Sequence, residues 1–209
     1  RYNRALRAAE EYLDGARYIE SQRLAPFQPR GTDVAVVLDL MIHDIDLILS
    51  LVKSKVTRID ANGIAVISGT PDIANARLQF ENGCVANVTA SRISQNKMRK
   101  MRLFQRDAYI SIDFAQGLAE VFRLVDEETP NMKSTLMLGK IDQGEHKRII
   151  VYEQPEVLEV NALKYELERF AESVQNNVET PVTGRDGLHA LQVAQEILQK
   201  IESQKITVA

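Results

Sequence analysis

The chain has 209 residues, 44% of them hydrophobic, enough for one domain whose core needs neither disulfide nor metal to hold it. Its formal net charge of -3 excludes a broad basic surface, so no nucleic-acid or anionic-membrane partner is expected. The single cysteine, Cys84 in the apolar setting CVANV, excludes internal disulfides and Cys-rich metal clusters and fits a reduced, cytoplasmic setting. The longest apolar stretch, residues 33–52, carries Asp33, Asp39, His43, Asp44 and Asp46, so neither a membrane span nor a signal peptide is expected.

In chain order, Ala5, Leu6, Ala9, Tyr12 and Leu13 recur at helical spacing and predict a helix over residues 2–13, stopped by Asp14-Gly15. The chain starts without Met and is periodic from its first residues, which predicts natural sequence upstream. Residues 17–24 alternate as a strand and run into Pro26 and Pro29. The apolar stretch 33–52 reads as a helix capped by Thr32 or Asp33, with Lys53 and Lys55 at the negative end of its dipole. Strands follow at 56–67, 72–80, 84–93, 99–105, 108–113 and 118–124, joined by short turns such as Glu81-Asn82-Gly83, which favour antiparallel neighbours. The basic run 97–102 reads as alternate side chains of a half-exposed strand. Residues 126–147 mix charge with Pro130, Gly139 and Gly144 and predict a mobile hairpin or loop before a strand at 148–153. Helices are expected over 161–176 and from Thr183 or Asp186 to Ile201, with 206–208 as an edge strand. The pattern predicts one α+β domain over residues 1–209: an open, mainly antiparallel sheet with helices packed on one face.

No G-x-G-x-x-G loop, Walker phosphate loop, G-x-S-x-G elbow or H-E-x-x-H pattern occurs, which leaves one constellation. At 3.6 residues per turn Asp39, His43, Asp46 and Ser50 share a face of an otherwise apolar helix, where charge is costly unless it is paired. Asp39 and His43, spaced i, i+4, suit general acid/base work, because the carboxylate orients the ring and stabilises imidazolium near the working pH. Two other readings remain: a hydrogen-bonded cluster that tethers the helix, and a Zn²⁺ or Fe²⁺ site centred on His43. The metal reading is the weaker, because His146 and His189 lie in other contexts and no further ligand is evident. His43-Asp44 is also similar to the signature of HD phosphohydrolases, whose further histidines have no counterpart here; no metal is expected.

The run VVLDLMIHDIDLIL resembles the substrate-domain helix of the Gfo/Idh/MocA oxidoreductases, where Asp-x-x-x-His lies on this helix. The resemblance continues through RYN, ESQRLAPF, FENGCVANVTASR and TGRDGLHALQVAQEI in the same order, and is nearest to the branch acting on UDP-N-acetylhexosamines. It implies a glyceraldehyde-3-phosphate dehydrogenase-like C-terminal domain, used for substrate binding and oligomerisation. The N-terminal Rossmann domain, with its Gly-rich loop and the Lys of a Glu-Lys-Pro motif, would be absent from these residues. NAD or NADP would be bound mainly by that missing domain, and this chain alone would be inactive. His43 would take the proton from a sugar hydroxyl while hydride passes to nicotinamide, Asp39 would orient His43, and homodimers or homotetramers would form through the open sheet. A non-catalytic assembly module is the alternative.

Four further residues are candidate substrate contacts. Arg23 has a planar fork suited to a hydroxyl or phosphate, or to a surface ion pair. Tyr2 and Asn3 would line the cleft or simply begin a helix. Asp46 would reach substrate or tether its helix. Arg92 and Arg30 are lesser polar candidates, and His189 is read as structural.

Overall fold

The computed structural model describes residues 1–29, 31–126, 135–143 and 146–204. Arg30 and the expected edge strand at 206–208 lie outside the described residues. The first helix, α1 (Arg4–Ala9), is capped by the Asn3 side chain, which accepts from the Ala5 amide at 3.0 Å, and it tightens into a 3-10 turn over Glu10–Tyr12. Strand β1 (Tyr18–Leu24) leads to a π-helical turn over Val37–Met41 and then to helix α2 (Ile42–Val52). Eight strands follow: β2 (Val56–Ile64), β3 (Ile73–Phe80), β4 (Val85–Ser91), β5 (Met98–Phe104), β6 (Ala108–Asp113), β7 (Leu118–Asp126), β8 (Thr135–Gln143) and β9 (His146–Glu153). Helices α3 (Ala162–Asn176) and α4 (Gly184–Ser203) complete the described chain.

All nine strands form one sheet in the order β2-β3-β4-β1-β5-β6-β7-β9-β8. Every pairing is antiparallel except β1 with β4, because the chain leaves β1 through α2 and returns by the β2-β3-β4 meander alongside it. Of the hairpin and the loop expected over 126–147, the structure shows a hairpin at residues 135–143, which form β8 and pair with β9, so the charged residues there lie on an edge strand. Edge strands tolerate such composition, since one side needs no neighbour.

Strand alternation sorts the side chains into two faces. Ile19, Ala76, Leu78, Ala86, Val88, Met101, Leu103, Ile110, Ile112 and Val121 are buried under the helices. Helix α4 lies over β2 and against α2, while α1 lies over β6 and β7. Gly63 of β2 permits the approach of α4, because a Cβ there would stand 3.0 Å from Ile201 Cδ1. The opposite face carries a cross-strand row, Tyr18, Phe104, Tyr109, Phe122 and Tyr152, with ring centroids 5.0–5.6 Å apart.

Two helix expectations change. Helix α2 is not capped by Thr32 or Asp33; the Val36 amide donates to the Pro71 carbonyl at 3.0 Å, so the loop between β2 and β3 satisfies the helix start. Helix α3 is amphipathic as expected, but Leu163, Leu167, Phe170 and Val174 are 57–66% exposed. It meets the rest of the fold through Tyr165, which stacks edge-on against Tyr2 at 5.5 Å and lies under Arg7.

Candidate active site

Alternation places residues 19, 21 and 23 of β1, and 99, 101 and 103 of β5, on the helix-covered face. The inner members are apolar or small. The outer ones are Arg23 and Arg99, directly opposite each other in the antiparallel register. The N-terminal half of α2 passes beside this pair. There it contributes His43 and Asp44.

Arg23 and Asp44 form a bidentate pair, Nε to Oδ2 at 2.7 Å and Nη2 to Oδ1 at 3.0 Å. Their side chains are 11% and 3% exposed, so this is a desolvated pair rather than the surface one that was the alternative for Arg23. Asp44 turns inward while Asp39 and His43 remain exposed. The costly buried carboxylate of this helix is therefore Asp44.

Asp46 accepts from Arg1 Nε at 2.9 Å and Nη2 at 2.6 Å, and Arg1 also lies 3.5 Å from Asp186 in the first turn of α4. This cluster ties the chain start to α2 and α4, as the tethering alternative for Asp46 anticipates. Asp186 is itself fixed by a capping box with Thr183, whose amide donates to it at 2.7 Å.

The π turn that presents Asp39 is clamped from behind. Arg92, a buried guanidinium, donates to the Gly31 carbonyl at 2.6 Å and to that of Val34, and lies 4.0 Å from both Asp39 and Asp72. Burial alone would raise the Asp72 carboxyl, but donation by Ser68 Oγ and by the amides of Val66, Ile67 and Ser68 holds it well below the usual carboxylate range. Arg92 is thus a loop anchor.

These groups surround a cavity of about 680 Å³ lined by Arg1, Asn3, Arg23, Asp39, His43, Asp46, Arg99, Phe114 and several residues of α2 and α4. The structure therefore brings together Asp39, His43, Asp46, Arg23 and Asn3. It turns Tyr2 away, onto Tyr165, at a separate small cavity against α3. His189 is exposed on α4. Arg99, Asp44 and Arg1 were not singled out from the sequence, although basic residues at core-facing parity in β5 are a signal. A larger cavity of about 870 Å³ lies between α1 and residues 153–160, apart from these groups.

His43 is held below its ordinary pKa, first by partial desolvation of the ring and then by the positive charge of Arg23; Asp44 and Asp39 oppose this, and Arg99 adds to it. No hydrogen bond joins Asp39 to His43, and Asp39 is the smallest of these influences. The carboxylates do favour the imidazolium, as expected, but burial and the arginines outweigh them, so the ring is held below its ordinary pKa and can accept a proton near neutral pH. Among the described residues, no three or more His, Cys, Asp and Glu side chains are arranged to hold a metal ion. No described helix is long and apolar enough to cross a membrane.

An open, mainly antiparallel nine-stranded sheet with helices on one face and a histidine-bearing cavity defines an α+β domain of the glyceraldehyde-3-phosphate dehydrogenase-like C-terminal class. Residues 16–112, just under half of the chain, match the model of the GFO/IDH/MocA C-terminal domain. It is 42% identical over 106 residues to UDP-N-acetylglucosamine 3-dehydrogenase of Acidithiobacillus ferrooxidans, spanning 51% of this chain and 34% of that protein. It is 28% identical over 180 residues to the uncharacterized oxidoreductase YrbE of Bacillus subtilis, 81% of this chain and 47% of that one. The solved structure of the Acidithiobacillus ferrooxidans enzyme superposes with a TM-score of 0.80 at 28% identity, covering 96% of this chain and 58% of that chain. A levoglucosan dehydrogenase in complex with NADH shares the fold, with a TM-score of 0.74 at 14% identity over 97% of this chain and 62% of that one. The chain spans about half or less of the length of the curated relatives it matches.

Proposed function

We propose that this chain is the substrate-side half of an NAD(P)-dependent oxidoreductase that oxidises a hydroxyl of a sugar or nucleotide sugar, with His43 as the proton acceptor. The observation that carries the reading is an exposed imidazole, held below its ordinary pKa, on the wall of a cavity that Arg23, Asp39, Asp46 and Arg99 also line. When bound, the nicotinamide supplies the hydride acceptor. The residues present suit the substrate side of that reaction: the cavity offers a base and donors, whereas the chain has no Gly-rich loop to cradle a dinucleotide diphosphate. A nucleotide-binding half outside these residues would hold it, consistent with the share of the relatives that the chain spans.

His43 accepts the hydroxyl proton as the carbon that bears it gives up hydride, leaving a carbonyl. Arg23, locked by Asp44, donates toward the sugar from the cavity wall and keeps the ring unprotonated at rest. Asp39 acts as a positioning residue, because its carboxylate offsets part of the charge gained when the ring is protonated. Asn3 and Asp46 hold the surrounding elements. The buried thiol of Cys84 suits a cytoplasmic setting.

The test is nicotinamide reduction by the full-length protein with UDP-N-acetylglucosamine and free sugars as substrates. His43→Ala should lower kcat by roughly 10²–10⁴-fold with the fold intact; an undiminished kcat overturns the assignment. We also propose that copies meet through the open sheet face, where the aromatic row offers contact area at low entropy cost.

A further inference from the structure

We propose that Arg99 reads an anion on the substrate, a phosphate ester such as a nucleotide sugar or a sugar phosphate carries. The inference rests on the function proposed above and assigns the residue that selects charged over uncharged sugars.

The argument begins with register. Arg99 stands directly opposite Arg23 on the neighbouring strand, both on the helix-covered face. Like charges directly opposite one another are destabilising, and only one carboxylate serves the pair. Asp44 is committed to Arg23 through both oxygens. Arg1 is similarly committed to Asp46 and Asp186, and Lys100, next in sequence, lies 3.3 Å from Asp113. Arg99 is exposed and lines the same cavity as His43, and among the described residues its guanidinium has neither a hydrogen bond nor an ion pair. Its charge reaches the active-site ring, since it contributes to lowering the His43 pKa. Arg99 and the Asp44-paired Arg23, at facing positions of two neighbouring strands, can both offer guanidinium donors to an anion. A phosphate there would relieve the like-charge opposition. It would also lift part of the field that weakens His43 as a base, so that binding the charged substrate and readying the base become one event.

Calorimetry of UDP and of N-acetylglucosamine 1-phosphate binding to the full-length protein, beside Arg99→Ala and Arg99→Lys, tests this. Binding of at least one should fall roughly 10-fold to 100-fold in Arg99→Ala and recover in part in Arg99→Lys, which keeps the charge without the fork. Whichever of the two binds identifies the anion as the diphosphate or the sugar phosphate. In turnover, the preference for the charged over the free sugar should fall, and the acid limb of the pH profile should move up in Arg99→Ala. Equal affinities in wild type and Arg99→Ala, or binding of neither probe by wild type, overturn the proposal. So does a lowered unfolding midpoint in Arg99→Ala, because removing one of two opposed like charges should leave the midpoint unchanged or raise it. Arg99-dependent binding without nicotinamide reduction would sustain the anion seat and sink the oxidoreductase reading instead.

Discussion

Arg23 and Asp44 show how a single inward turn changes the meaning of a helix. A buried ion pair contributes little net stability, because desolvation offsets attraction, but deleting one member strands a charge in the interior. Asp44→Ala should therefore cost about 3–5 kcal/mol in chemical denaturation, whereas Asp39→Ala, at an exposed position, should cost about 0.5 kcal/mol or less. Burial of the ring, and after it the charge of Arg23, shape the pH response of His43. Because the folded state depresses this pKa below its ordinary value of about 6.5, the associated stability is fully present above that pH and is lost as pH falls toward the folded value. For turnover in the oxidising direction, the acid limb of kcat/KM should lie below 6.5. A limb above it would mean that the carboxylates outweigh burial and the arginines at the ring.

At the scale of elements, helices behave according to what their ends and faces touch. The capping box at the start of α4 satisfies the Thr183 and Asp186 amides reciprocally, so Thr183→Ala should lower stability by about 1 kcal/mol. Helix α3 is the contrasting case. Its apolar stripe has the right periodicity to pack, yet it is exposed, so Leu167→Lys and Phe170→Lys should change the unfolding free energy of these residues by no more than about 0.5 kcal/mol. A larger loss measured in the full-length protein would show that the stripe is covered there. The π turn before α2 is of the same kind: nothing in residues 37–41 announces it, and it is flanked by Arg92 and the Pro71 carbonyl, both from loops distant in sequence.

For the whole molecule, the sheet has one face committed to helices and one on which no described helix packs. The latter face gathers aromatic rings from five strands into a row, and face-to-face association through it predicts that Tyr109→Lys with Phe122→Lys shifts the protein toward monomer in sedimentation. An unchanged sedimentation coefficient at high concentration would remove that face as the interface.

The strands and helices were legible because their periods are local: alternation in β3 and β4, 3.6-residue spacing in α4 and turn residues at Asn82-Gly83 need no distant information. The polar stripe was legible for the same reason, and Asp39, His43 and Asp46 do share one cavity. What the amino acids alone did not determine is which charges meet. The Arg23 to Asp44 pair, the opposition of Arg23 and Arg99, the Arg1 to Asp46 tie and the aromatic row all join residues from separate strands and helices. Such contacts follow from sheet order, register and helix placement, and a one-residue slip in register would turn the strand members among these side chains to the other face. The sequence by itself determined the elements and the polar stripe on one helix, whereas only the tertiary structure decided that Arg23 is paired with Asp44, that Arg99 stands opposite it, and that burial and these charges lower the His43 pKa.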